Sequence, residues 1–154
     1  MKFLVLGISG QDGQILQKLS NTCEIEVFGI THSNKKLDKN LYFWDNSNEM
    51  LTSIIDEVFP DVIVNFSAVH SSSLNLSNIS FETMYSVNTL NVLTILEVIK
   101  TNFPHILYVN SLTSHMYSED KNKVINEKTK INPRNFYGLT KYHSLNIAEY
   151  YEKH

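Results

Sequence analysis

Three glycines spaced three residues apart, Gly7, Gly10 and Gly13, separate an apolar run from a helix-like segment. They constrain the fold more than any other feature of the chain. Residues 2–7 are almost continuously apolar, as expected of a strand buried on both faces. Residues 14–19 have helical character. A strand that runs through G-x-x-G-x-x-G into a helix reads as the start of a βαβ unit. One glycine permits the tight turn, a second lets the backbone approach a pyrophosphate, and the third lets helix and strand pack closely. The N–H groups at the helix start then face the phosphates. The spacing alone is weak, and a plain turn is the bland alternative. The strand–turn–helix setting is what favours a bound dinucleotide.

The rest of the chain continues the alternation. Strand signals fall at 24–30, 41–44, 61–66 and 105–110, and helical ones at 48–59, 80–100 and from 134 to the end. In 48–59, Met50, Leu51, Ile54, Ile55 and Val58 follow i, i+3, i+4 spacing. In 80–100, Met84, Val87, Leu90, Val92, Leu93, Ile95, Leu96, Val98 and Ile99 run most of the way round, which predicts burial on more than one side. Residues 71–80 and 117–132 read as polar loops. The pattern predicts an α/β fold, a Rossmann-like doubly wound parallel sheet of order 3-2-1-4-5, in one domain over 1–154.

Composition narrows the partners. A net charge of −3 gives no electrostatic case for nucleic acid. Cys23 is the lone cysteine, so there is no internal disulfide and no cysteine zinc site, which fits a reducing cytoplasm. His32, His70, His105, His143 and His154 are scattered with no H-x-x-x-H pair, so no metal site is expected. The first apolar run is too short for a signal peptide, and no segment approaches the roughly 18 apolar residues of a membrane span.

The acidic residue that would hold a ribose 2′-OH, about 20 positions beyond the glycine loop, is missing. The second strand instead runs into Thr31-His32-Ser33-Asn34-Lys35-Lys36. Hydroxyl and basic groups suit a 2′-phosphate, so the expected cofactor is NADP, with NAD as the alternative. The bland reading of Lys35 and Lys36 is a solvated loop.

Tyr137 and Lys141 stand at i, i+4 and so share one face of the last helix. A cation beside a phenol favours the phenolate. Such a phenol moves a proton to or from a hydroxyl while a nicotinamide carries the hydride. The lysine is also placed to bond the nicotinamide ribose. Y-x-x-x-K is common by chance, and it gains weight from its place behind five strands and a glycine loop.

With these motifs the chain resembles the extended short-chain dehydrogenases/reductases, specifically the sugar-nucleotide epimerase/dehydratase group, from Phe3 to about Tyr151. Gly7-Ile-Ser-Gly-Gln-Asp-Gly13 is most similar to the loop of GDP-mannose 4,6-dehydratases. The resemblance implies cofactor contacts from Gly7, Ser9, Gly10, Gln11, Asp12 and Gly13, beside those of Thr31, His32 and Lys35 expected for a 2′-phosphate. It adds Asp45 and Asn46 after the third strand, near the adenine, and Phe66, Ser67 and Ala68 after the fourth. Tyr137 and Lys141 would serve both cofactor and chemistry. Thr113, in Ser111-Leu-Thr-Ser-His-Met-Tyr117, matches the third catalytic residue, with Ser111 and Ser114 as neighbours that a small misalignment would promote. Asn88 matches the family's asparagine in the long helix, and Asn132-Pro-Arg-Asn-Phe-Tyr137 the approach to the tyrosine.

The implied activity is NAD(P)-dependent epimerisation or dehydration of a nucleotide-activated sugar, with hydride transfer at sugar C4 and Tyr137 as acid/base. A 4-ketosugar-nucleotide reductase and a non-catalytic NAD(P)-binding fragment or sensor are the alternatives. The implied partner is a second copy, docked through the family's long fourth and fifth helices. Some positions depart from the family's pattern. His115 occupies the place of the glutamate that 4,6-dehydratases carry two residues after the Ser/Thr, which moves the expectation toward an epimerase or reductase. Asn91-Val92 stands where Gly-Thr is usual. The match also covers only the first half of the family's length, without the last strands or the substrate-gripping domain. An exposed apolar sheet edge and self-association are therefore expected.

Overall fold

β1 (Lys2–Leu6) lies at the centre of a five-stranded parallel sheet of order β3-β2-β1-β4-β5. The computed structural model describes residues 1–32, 39–70, 79–117, 124–126 and 128–154. The other strands are β2 (Glu26–Thr31), β3 (Leu41–Phe43), β4 (Val62–Asn65) and β5 (Leu107–Asn110). The predicted order is the observed one. The described residues form two compact units, Met1–Ser67 with Thr94–Ser111, and Ala68–Leu93 with Leu112–His154.

The first unit holds the whole sheet. Alternation along the strands divides its core into two layers. Leu4, Leu6, Ile30 and Ile63 face α2 (Asn48–Val58) and the later part of α4 (Asn91–Asn102), meeting Leu51, Ile54, Ile55, Ile95 and Val98. Val5, Val27, Val62 and Val64 face the other way, toward Leu16 of α1 (Gln11–Ser20). Leu4 and Val5 are both fully buried, which is why this strand reads as an unbroken apolar run. At the edge strand β5 one layer is uncovered: Leu107 is 61% exposed and Val109 42%, the apolar edge anticipated above.

Element ends depart from the sequence expectation for local reasons. α1 starts at Gln11 rather than 14, directly after its N-cap Gly10. α2 stops at Val58, because Phe59 takes the left-handed conformation (φ 50°) ahead of Pro60 and donates its N–H to the Ile55 carbonyl at 2.8 Å. β5 starts two residues late, since Ile106 is held in a turn by its N–H to the Phe103 carbonyl at 3.0 Å.

The second unit contains α3 (Phe81–Tyr85), a π-helical stretch at Ser86–Leu90, the start of α4, a 3₁₀ turn at Ser114–Met116 and α5 (Phe136–Lys153). The single helix predicted for 80–100 is thus interrupted by a wide turn. The turn sets two consecutive polar residues, Asn88 and Thr89, inward against α5; they are 1% and 0% exposed. A π-turn in mid-helix often marks a functional site. On this run Leu90 and Leu93 stay 46% and 37% exposed, while Val92, Ile95, Leu96, Val98 and Ile99 are buried. No helix among the described residues is long and apolar enough to cross a membrane.

Candidate functional site

The glycine loop is shaped by what it cannot accommodate. Gly7 has φ +78°, a conformation that L side chains rarely adopt, and a Cβ there would stand 2.7 Å from the Ser67 nitrogen and 2.8 Å from the Phe66 carbonyl carbon. The loop and the segment after β4, both expected to meet the cofactor, are therefore in contact. A Cβ on Gly13 would meet the Gly7 oxygen at 2.6 Å. The Gly10 N–H is bonded to the Gly7 carbonyl at 2.9 Å, and Gln14 Nε2 holds the Ser9 carbonyl at 3.1 Å. Gly10 offers no side-chain cap, so the first-turn N–H groups of α1 are left to an outside acceptor. This start of α1 fits a pyrophosphate. Ser9, Gln11 and Asp12 lie exposed around it.

At the far ends of β2 and β3, His32 Nδ1 sits 2.9 Å from the Trp44 carbonyl, its ring 5.6 Å from the buried indole. Asp45 Oδ1 accepts from the Ser47 N–H at 2.9 Å and the Ser47 hydroxyl at 2.6 Å, and these bonds hold its carboxyl below the usual range. Asn46 between them has φ 71°. These bonds hold the Asp45 carboxylate at the turn, and Ser47 goes on to cap α2. Thr31 ends β2, whereas Lys35 lies outside the described residues. Ser67 donates from its N–H and hydroxyl to Asn65 Oδ1, at 3.1 and 2.5 Å, and Ala68 follows in the second unit.

Within the second unit, Thr113, His115, Tyr137 and Lys141 come together through α5 and the 3₁₀ turn. Thr113 Oγ1 accepts the His115 N–H at 3.3 Å and is hydrogen-bonded to the Tyr137 phenol. The rings of His70 and His115 lie 5.6 and 5.8 Å from that of Tyr137. A Cβ on Gly138 would collide with the His115 carbonyl, so only glycine lets α5 approach the turn this closely. Burial raises the Tyr137 phenol above its ordinary value, and the Thr113 bond opposes the rise. Desolvation outweighs the lowering that the lysine spacing predicts.

Lys141 is 1% exposed, and burial pushes its ammonium down to about 8. An unfolded lysine titrates near about 10.4, so between about pH 8 and 10 the unfolded chain holds more protons and stability must rise with pH. The expected slope in urea unfolding is on the order of 1 kcal/mol per pH unit, with Lys141→Met flattening it. Above about pH 10 the partly buried Tyr108 and Tyr137, both raised by desolvation, act in the opposite sense. A wild-type profile that is flat from pH 8 to 10 would contradict the assignment.

Local sequence patterns gave no sign of the network behind Tyr137. Asn88 Oδ1 accepts the Val69 N–H at 2.8 Å, and its Nδ2 donates to the Val69 carbonyl at 2.9 Å and to Thr140 Oγ1 at 3.0 Å. Thr140 in turn donates to the Tyr137 carbonyl at 2.8 Å, and Thr89 to the Thr140 carbonyl at 3.0 Å. The asparagine matched by resemblance is thus a buried clasp on the turn that carries the tyrosine.

The family model of the NAD dependent epimerase/dehydratase family matches residues 3–154, and the chain belongs to that family. A dTDP-glucose 4,6-dehydratase from Bacillus anthracis in complex with NAD is 25% identical, with a TM-score of 0.80 over 99% of this chain and 51% of that one. A hypothetical dTDP-4-dehydrorhamnose reductase from Sulfolobus tokodaii is 27% identical, with a TM-score of 0.77 over 96% and 52%. A UDP-N-acetylglucosamine 4-epimerase from Bacillus cereus shares the fold at 21% identity, with a TM-score of 0.81 over 99% and 51%. The chain spans about half the length of these solved relatives. Comparison with curated proteins finds no match.

Proposed function

We propose that this chain is the dinucleotide-binding and acid–base part of an enzyme that epimerises or dehydrates a nucleotide-activated sugar, with hydride transfer at sugar C4. One observation carries the reading: a half-buried Tyr137 bonded to Thr113, with buried Lys141 one helical turn further along α5. A bound nicotinamide dinucleotide would supply the two-electron acceptor and donor. Tyr137 takes the proton of the sugar hydroxyl at its Oη and later returns it. Thr113 orients the same oxygen. Lys141 stabilises the phenolate when Tyr137 ionises, and a lowered ammonium pKa makes its own charge responsive near neutral pH. Gly7, Gly10 and Gly13 hold the phosphates at the start of α1.

NADP is the preferred cofactor, because β2 ends in Thr31, followed by His32, and neither of these described residues offers a carboxylate to a 2′-OH. NAD is the second reading, supported by the family's description and by the Bacillus anthracis complex. A second copy would dock on the outer side of the helical run at the exposed Leu90 and Leu93, and the exposed Cys23 suits the cytoplasm. The test is an assay of the natural polypeptide with dTDP-, UDP- and GDP-hexoses and either dinucleotide. Sugar conversion without net cofactor consumption is expected. Stoichiometric consumption would mark a 4-ketosugar reductase, the reading favoured by the Sulfolobus tokodaii likeness. Binding without conversion would leave a cofactor-binding module and overturn the enzymatic proposal.

A further inference from the structure

The N-cap of α5 determines the protonation pattern of the histidine beside Tyr137. Asn135 Oδ1 accepts the Gly138 N–H at 2.7 Å. A backbone N–H only donates, so the oxygen of this amide must face Gly138 and its NH₂ must face away. That NH₂ lies 2.9 Å from His115 Nδ1. An amide NH₂ also only donates, so Nδ1 must be the lone-pair nitrogen and the ring proton must sit on Nε2. The cap bond therefore removes the ambiguity that usually surrounds both an amide flip and a histidine tautomer.

His115 lines a cleft of about 370 Å³ with Ser114, Tyr117, Ile125, Arg134 and Asn135. Among these described side chains Arg134 and Asn135 supply N–H donors, and none is a carboxylate. We propose that Asn135 is a positioning residue that locks His115 as its Nε2–H tautomer, so that the cleft offers a hydrogen-bond donor to a carbonyl or hydroxyl oxygen of the substrate. His115 then binds an oxygen lone pair next to the reacting tyrosine and does not act as a base. The identity of that substrate rests on the sugar-nucleotide reading above; the tautomer does not.

The test separates the two. In the unliganded ¹⁵N-labelled chain near about pH 8, where an ordinary histidine is neutral, long-range ¹H–¹⁵N spectra should show His115 protonated at Nε2 and bare at Nδ1, the signal being identified by its loss in His115→Gln. Asn135→Asp keeps a good N-cap but presents a carboxylate oxygen to the ring, and the proton should move to Nδ1. Asn135→Ser also keeps a cap, has no amide, and should give a mixture of tautomers. Wild-type protonation at Nδ1, or spectra unmoved by both Asn135 variants while helicity is retained, would overturn the proposal. In turnover, His115→Leu should raise KM about tenfold, equivalent to one hydrogen bond. His115→Gln, which restores a donor, should recover most of that loss, and His115→Glu should not. Better recovery by Glu than by Gln would make His115 a base and refute the donor role.

Discussion

Replacing Tyr137 by Phe in the natural polypeptide is expected to lower kcat by about 10²–10⁴-fold, the usual contribution of a positioned acid/base, while the dinucleotide Kd changes little. The ring contacts with His70 and His115 survive the substitution, because the ring is retained and only the hydroxyl is lost. The Thr113 hydroxyl loses its partner, but Thr113 still accepts the His115 N–H and keeps the turn formed. The clasp from Asn88 through Thr140 ends on the Tyr137 carbonyl, which the mutation leaves in place. A large kinetic effect thus cannot be ascribed to a disordered helix start. Steady-state kinetics paired with cofactor titration checks this; unchanged turnover would remove Tyr137 from the chemistry.

The second large effect is expected in the glycine loop. Gly7→Ala places a methyl group inside contact distance of the Ser67 nitrogen and forces a left-handed residue to carry a Cβ. The left-handed strain costs about 1 kcal/mol and the overpacking about 1–3 kcal/mol. Together they are a large fraction of the stability of an ordinary domain. Thermal unfolding should fall markedly and dinucleotide affinity should be lost with it. Gly10→Ala is the discriminating control. Gly10 has φ −76°, and an added Cβ would have only the Gly7 oxygen nearby, at 3.2 Å. The fold should tolerate that methyl, whereas a pyrophosphate resting on the loop should not. Gly10→Ala should therefore keep its melting temperature within a few degrees and weaken dinucleotide binding at least about tenfold. Equal affinity in Gly10→Ala would mean that the phosphates lie elsewhere.

The sheet was legible because its central strands are buried on both faces, which leaves an unbroken apolar signature in β1 and β4. Strand order followed from the glycine loop and the alternation of elements. The π-turn at Ser86–Leu90 was not legible, since one extra residue in a turn barely disturbs an apolar pattern that already runs most of the way round the helix. The site divides in the same way. Gly7, Tyr137 and Lys141 announce themselves by spacing. The Asn88–Thr140 clasp joins residues 52 positions apart, a pairing that no local period encodes. Asn135 carried a readable signal, an asparagine at the entrance to a helix, but its second bond, to His115, depends on how close Gly138 lets the two segments come. The upward shift of the Tyr137 phenol is likewise a consequence of burial, which sequence spacing does not report.

Dinucleotide binding by this fold is tested most directly by calorimetric titration of NADP⁺ and NAD⁺ into the 154-residue chain. Saturable binding of one dinucleotide per chain is expected, tighter for NADP⁺ than for NAD⁺, and weakened by Gly10→Ala without loss of fold. Absence of binding by either dinucleotide to the folded chain would contradict the dinucleotide-binding reading.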